Sequence, residues 1–208
     1  MGLRQRKKEN THSRILDAAR QLFRENGYEQ TRMESVATKA DISVGTVYNY
    51  FDTKHDLLLA IIVRYDAHVI TETEALFNNL PANPVEGIVQ VFAIGARHSF
   101  AELGRANWRQ FFAASILHHS SPLGASYGAL NTGLSERVVR MLEAQKRAGH
   151  LAVFCDSQKI GDLIYKIEST LFITLTVSDS MPFEAYEDQL RCDIGYLLQS
   201  FGVLETVE

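Results

Sequence analysis

Apolar positions recur along this chain with the period of a helix and nowhere with a sustained period of two. Ile15, Ala18, Ala19, Leu22 and Phe23 follow the i, i+3, i+4, i+7, i+8 spacing that lays one apolar stripe along an α-helix. Gly27 suits the position just past that helix's end. Thr31 and Glu34 have the spacing of a capping box, in which each side chain satisfies a backbone N–H of the other residue. They open a short second helix carrying Val36 and Ala37. Ala40-Asp41-Ile42-Ser43 predicts a tight turn, with Ser43 as N-cap of a third helix over Val44 to Tyr50. Thr53 and Asp56 form a second box. It starts a fourth helix with Leu57, Leu58, Ile61, Ile62, Tyr65 and Val69 on its apolar side.

The clearest break lies at Leu80-Pro81-Ala82-Asn83-Pro84, where Asn83 suits an N-cap and Pro84 the first helical position. A fifth helix carries Ile88, Val91 and Phe92. A sixth, Arg105 to Leu117, is rich in aromatics: Trp108, Phe111 and Phe112. Pro122 restarts the chain, and a seventh helix runs to Gly149. Ser157 suits the cap of an eighth, Gln158 to Val177, whose apolar residues fall on two faces. A ninth follows Pro182, with Phe183, Tyr186, Leu190, Ile194, Leu197, Leu198 and Phe201 as its stripe. The expected fold is all-α with about nine helices.

At 208 residues, 46% apolar and 22% charged, the chain can bury a core without disulfides or metal. That composition excludes wholesale disorder and collagen-like repeats. The net charge of −4 is unevenly spread. Residues 1–64 hold 11 Lys and Arg against 8 Asp and Glu; the remainder holds 10 against 17. The basic excess sits at Arg4, Arg6, Lys7 and Lys8. Such an end suits contact with a polyanion, and equally a solvated terminal tail. Cys155 and Cys192 make no disulfide framework, so a reduced, cytoplasmic setting is expected. No apolar run reaches the ~18–20 residues of a membrane span, and no secretory signal follows the basic start. His118 and His119 are adjacent and diverge by about 100° on a helix, no His-x-x-x-His pair occurs, and neither Cys has clustered partners. No metal or cofactor is expected. Nor is an enzyme, since nucleophile–base motifs and Gly-rich phosphate loops are missing.

Helices two and three with their short turn form a helix-turn-helix pattern. The residue types make it specific. Ile15-Leu16-Asp17-Ala18-Ala19, Phe23, Gly27-Tyr28, Thr31 and Val36-Ala37 lead into Ser43-Val44-Gly45-Thr46-Val47-Tyr48-Asn49-Tyr50-Phe51, then Lys54 and Asp56-Leu57-Leu58. Residues about 11–60 thereby resemble the DNA-binding domain of TetR-family transcriptional regulators. The resemblance implies a basic arm (1–10), a helix-turn-helix domain (11–56) and a helical effector-binding and dimerisation domain (57–208). It also implies a ligand-responsive repressor that binds double-stranded DNA at a palindromic operator as a homodimer. Val44, Gly45, Thr46, Asn49 and Tyr50 would face base edges or nearby phosphates, Tyr48 and Lys54 would clamp phosphates, and Phe51 would be core. The arm would add phosphate or minor-groove contacts. Three positions depart from the family's habit. Asp41 stands where Gly is frequent, Arg32 where a second Thr is common and would strengthen phosphate contact, and Glu34 where a basic residue is frequent.

The aromatic segment reads either as ordinary core or as the lining of an effector cavity, which the resemblance implies. The candidate lining is Tyr65, His68, Phe92, Trp108, Phe111, Phe112, His118 and Phe172. Helices eight and nine are the dimer candidates, through Ile160, Ile164, Ile167, Leu171, Leu190, Ile194, Leu197 and Phe201; burial within one protomer is the other reading. Glu168, among apolar neighbours, is expected to pair with Lys166 or with the partner chain. The alternative function is a helical adaptor or small-molecule-binding protein whose helix-turn-helix no longer reads DNA.

Overall fold

The computed structural model describes residues 2–117, 122–152, 154 and 156–204, without the side chains of 67, 68, 117 and 122–131. Among the described residues eight helices follow in order: α1 Leu3–Gln30, α2 Met33–Lys39, α3 Val44–Tyr48, α4 Lys54–Asn78, α5 Pro84–Leu117, α6 Pro122–Arg147, α7 Ser157–Val177 and α8 Phe183–Ser200. Among the described residues there is no strand. The fifth and sixth expected helices run together as α5, bent at Gly104 (φ 73°, ψ 161°). Gly27 bends α1 in the same way (φ 79°, ψ 162°). Only glycine adopts that backbone readily.

Residues 3–10 are not an arm outside the domain but the first turns of α1. Arg, Lys, Gln and Glu are all good helix formers, and Gln5 reaches Glu9 one turn on, at 2.9 Å. Asn83 accepts from the Val85 N–H at 2.9 Å and caps α5 as expected. At α7 the cap is Asp156, not Ser157; it accepts from the Lys159 N–H at 3.1 Å, while the Ser157 hydroxyl donates to Glu143.

The chain divides into two compact units, residues 1–65 with 99–127 and residues 66–98 with 128–208. This differs from contiguous domains over 11–56 and 57–208, because α4, α5 and α6 each contribute to both units. In the first unit Ile15, Leu16, Phe23, Val36, Val47, Phe51, Leu57, Leu58 and Phe111 are buried together. Asn107 of α5 donates to the Phe23 carbonyl of α1 at 2.9 Å, and Arg20 pairs with Glu102 at 3.0 Å.

The second unit buries Ile88, Val91, Phe92, Val138, Met141, Leu142, Ile164, Tyr186, Leu190 and Ile194. It also buries polar groups. Arg137 of α6 donates to Asp66 of α4 at 2.8 Å. The Tyr186 hydroxyl donates to Glu168 at 2.8 Å, so Glu168 pairs within this chain across α7 and α8 rather than with Lys166.

Candidate nucleic-acid interface

The turn between α2 and α3 is closed by backbone geometry. The Asp41 N–H donates to the Thr38 carbonyl and the Ile42 N–H to the Ala37 carbonyl, both at 3.1 Å, which is the Schellman arrangement. Asp41 supplies the left-handed residue (φ 53°), a conformation that a short polar side chain tolerates. Arg14 of α1 reaches across and donates to the Ala40 carbonyl at 2.6 Å and the Asp41 carbonyl at 3.2 Å. Local sequence carries no signal for this contact, since the partners lie more than twenty residues on.

Ser43 then starts α3 as expected, accepting from the Thr46 N–H at 3.1 Å. Val47 is fully buried and pins the helix to the core. Around it Val44 and Thr46 are half-buried, while Gly45, Tyr48 and Asn49 are exposed. The helix is shorter than Val44 to Tyr50, because Asn49 is already its C-cap.

The other predicted DNA residues are placed differently. Arg32 is exposed at the N-cap of α2 and makes no side-chain cap there. The expected Thr31–Glu34 box does not form. Thr31 is buried beside the bend and donates to the Gly27 carbonyl at 2.8 Å, so its hydroxyl serves α1 instead. Tyr50 turns away from the outward residues of α3; its hydroxyl donates to the Lys8 carbonyl at 3.3 Å.

Lys54 is not a free phosphate clamp. Its ammonium donates to the Tyr28 carbonyl at 2.6 Å and the Glu29 carbonyl at 3.1 Å, and sits 4.3 Å from the Tyr28 ring centroid. It closes the end of α1, and partial burial lowers its pKa. An ammonium has three N–H donors, so one is left to point elsewhere. Burial, with Glu29 and Asp56 nearby, pushes the Tyr28 phenol up to about 12, so it stays neutral. Its hydroxyl lies 3.2 Å from Nδ1 of His55, whose ring stacks on Phe111 at 6.4 Å.

Of the predicted effector residues, Trp108, Phe111 and Phe112 cluster, with Trp108 5.4 Å from Phe111 and 5.6 Å from Phe112. The indole N–H of Trp108 donates to the Ser99 carbonyl at 2.9 Å. The Tyr65 hydroxyl accepts from Arg64 at 3.1 Å. Phe92 and Phe172 belong to the other compact unit. Phe92 and Phe111 are enclosed on all sides, which is the core reading for both. The His68 side chain and all of His118 lie outside the described residues, as does Cys155. Among the described residues no three His, Cys, Asp or Glu side chains are grouped to hold a metal ion. Among the described residues no helix is long and apolar enough to cross a membrane.

The expected dimer residues need correction. Ile160, Ile164, Leu190 and Ile194 are buried within the chain itself, so they offer no surface to a second copy. Ile167, Leu171 and Leu197 are half-buried, and Phe201 is exposed. The outward apolar residues are Leu163, Ile173 and Val177 on α7, and Tyr196 on α8, which is 75% exposed, with Phe201 just past it. Helix α7 does have two apolar faces, and the one first assigned to a partner is the inner one.

Residues 15–61 match the family described as bacterial regulatory proteins, tetR family. The HTH-type transcriptional regulator UidR of Escherichia coli is 35% identical over 78 residues, which is 38% of this chain and 36% of that protein. The HTH-type transcriptional repressor KstR of Rhodococcus jostii is 47% identical over 51 residues, 24% of each. The chain thus spans about a third or less of the length of these curated relatives. Among solved structures, the Thermus thermophilus repressor FadR in complex with lauroyl-CoA shares the fold, with a TM-score of 0.71 over 94% of this chain and 97% of that one, at 22% identity. The helix-turn-helix segment, residues 15–61, is thus similar to the corresponding segment of the tetR family of bacterial regulatory proteins.

Proposed function

We propose that this protein is a transcriptional repressor that acts in the cytoplasm, binds a palindromic DNA operator as a homodimer, and releases it when a small molecule binds. The observation that carries the reading is α3. Ser43 and Val47 fix its backbone, while Val44, Gly45, Thr46, Tyr48 and Asn49 are left facing away from the core. These groups suit the major groove. Asn can bond an adenine edge in bidentate fashion, the Thr methyl can meet a thymine methyl, and Gly45 lets the backbone come close. Arg32, Tyr48 and the remaining N–H of Lys54 would hold phosphates, beside the N-terminus of α4.

One helix this short reads few bases, so two copies about a two-fold axis are needed, with half-sites about 34–36 Å apart. The exposed apolar residues of α7 and α8 support that face as the seat of the second copy. The lauroyl-CoA complex of the Thermus neighbour supports a small-molecule effector. Within the first unit, Tyr65, Trp108 and Phe112 are the candidate contacts that are not fully enclosed. An effector releases DNA only by preferring the DNA-incompetent state, with a coupling of ~1–3 kcal/mol.

The test is enrichment of random duplexes by the purified protein at near-physiological salt. The expected result is a two-fold symmetric consensus. Asn49→Ala is then expected to lose about 1–3 kcal/mol and to relax preference at one position per half-site. No enrichment, in protein shown by native mass spectrometry to carry no ligand, would overturn the reading. It would favour a small-molecule-binding adaptor, a reading consistent with Tyr50 and Lys54 being turned into the chain.

A further inference from the structure

We infer that the second unit holds a binding site for a small carboxylate, built on the Arg137 guanidinium between α4 and α6. The inference gives a chemical class to the small molecule proposed above. Its regulatory role rests on that reading; the binding itself does not. An arginine cannot shed its proton, and it carries five N–H donors in a planar fork. Arg137 uses one of them. Its Nη2 donates to Oδ1 of Asp66 at 2.8 Å, and among the described residues it has no other partner. The side chain is 6% exposed, and Nε is buried with nothing to bond. A permanent cation whose other donors go unmet by the protein is a ready receptor for acceptor oxygens.

There is room beside it. Side chains on a helix lean toward its N-terminus, so Arg137 lies over Gly133, one turn back, where no side chain stands. A Cβ on Gly133 would meet Nη1 of Arg137 at 3.9 Å and no other described atom within 4 Å. Asp66 and Val69 share one face of α4. A Cβ on Gly95 of α5 would meet, among the described atoms within 4 Å, only Val69, at 3.8 Å. Two glycines on two helices thus leave space against the same turn of α4. Both are half-buried, so the space opens to solvent. All these residues belong to the second unit.

Charge selects the class. Asp66 already neutralises Arg137 once, and residues 65–208 hold 10 Lys and Arg against 17 Asp and Glu. A phosphate would bring about two further negative charges. A carboxylate brings one, and its two oxygens match the guanidinium fork. A neutral carbonyl gives a bond about half as strong. The Asp66 side chain is 24% exposed, so water can take it up when a ligand competes for the guanidinium.

The experiment follows the Arg137 Nε–H resonance of the ¹⁵N-labelled full chain, assigned by its loss in Arg137→Lys. Benzoate, phenylacetate and cyclohexanecarboxylate are titrated separately at fixed ionic strength, each beside its uncharged primary amide. At least one acid is expected to move the resonance along a saturating curve, with its amide at least about tenfold weaker. Gly133→Ala keeps the ion pair, favours the helix and puts a methyl beside Nη1, and is expected to weaken that acid about threefold or more. Asp66→Asn removes the competing charge and is expected to tighten it about threefold or more. Far-UV circular dichroism checks that both variants keep their helix content. If no acid moves the resonance, Nε holds water only and the site is overturned. An amide that binds as well as its acid overturns the carboxylate class. Unchanged affinity in Gly133→Ala puts the acid elsewhere and overturns the site as well. None of these measurements uses DNA, so a wild-type chain that enriches no duplex overturns the repressor reading and not this site.

Discussion

Both compact units hold side-chain ion pairs, but they differ in what some of their polar side chains support. In the first, long cations reach backbone carbonyls at helix ends: Arg14 closes α2 and Lys54 closes α1. In the second, polar side chains meet each other inside the helix packing, as Arg137 with Asp66 and Tyr186 with Glu168. The difference follows from helix length. Helices α2 and α3 have seven and five residues, far below what is stable alone, so their ends need direct support. Helices α6 and α7 have 26 and 21 residues, and their ends are a small part of them. There the packing register matters more, and a buried pair helps to specify it, because shifting one partner strands the other.

The sharpest test of this contrast is Asp66→Ala. It leaves the Arg137 guanidinium, with a side chain 6% exposed and Nε already without a partner, alone in the helix packing. Breaking a buried pair costs about 3–5 kcal/mol, and the lower end applies because Asp66 is 24% exposed. Arg14→Ala removes two helix-end bonds from a side chain that is 44% exposed, and is expected to cost about 1 kcal/mol. Urea unfolding of both variants decides it. Equal costs would remove the distinction between the units.

Glu168→Gln comes next and carries a pH signature. Burial raises the Glu168 carboxyl to about 7, against the opposing pull of the Tyr186 hydroxyl. An acid whose folded pKa lies above its unfolded 4.5 holds its proton better in the folded chain. That contribution is complete below about pH 4.5 and is lost as pH rises through about 7. The loss amounts to at most about 3 kcal/mol. Glutamine keeps a carbonyl for Tyr186 to donate to and carries no charge. The variant is therefore expected to match wild type at pH 4.5 and to be more stable at pH 8. Stability curves that run parallel over that range would show that Glu168 does not titrate within the packing.

The same contrast explains what could be read from sequence. Ser43 as a cap, Val47 as core and the Thr53–Asp56 box, with bonds of 2.8 and 3.1 Å, depend on neighbours three residues away, so spacing reveals them. The identical spacing at Thr31 and Glu34 failed because Thr31 is drawn to the bend at Gly27, a contact that spacing does not encode. Periodicity found both apolar faces of α7. It could not say that Ile160 and Ile164 face their own chain while Leu163 and Ile173 face outward. Glu168 and Tyr186 meet through α7 and α8 packing, and no local pattern marks them as partners.

The smallest expected effect is at Asp41, and it isolates backbone from side chain. Asp41 holds a left-handed φ of 53°, and its side chain is 98% exposed. Its 3.5 Å contact with Arg14 is fully solvated and contributes little. Arg14 bonds the carbonyls of residues 40 and 41, which any residue at 41 retains. Glycine relieves the left-handed strain but enlarges the unfolded ensemble by about 0.4–1 kcal/mol, so Asp41→Gly is expected to change stability by less than about 0.5 kcal/mol. Alanine keeps the strain and lacks the short polar group that eases it, so Asp41→Ala is expected to lose about 1 kcal/mol. Thermal unfolding of the two variants side by side separates the effects. If alanine proves as harmless as glycine, residue 41 is not held left-handed, and the Arg14 clamp closes a different turn.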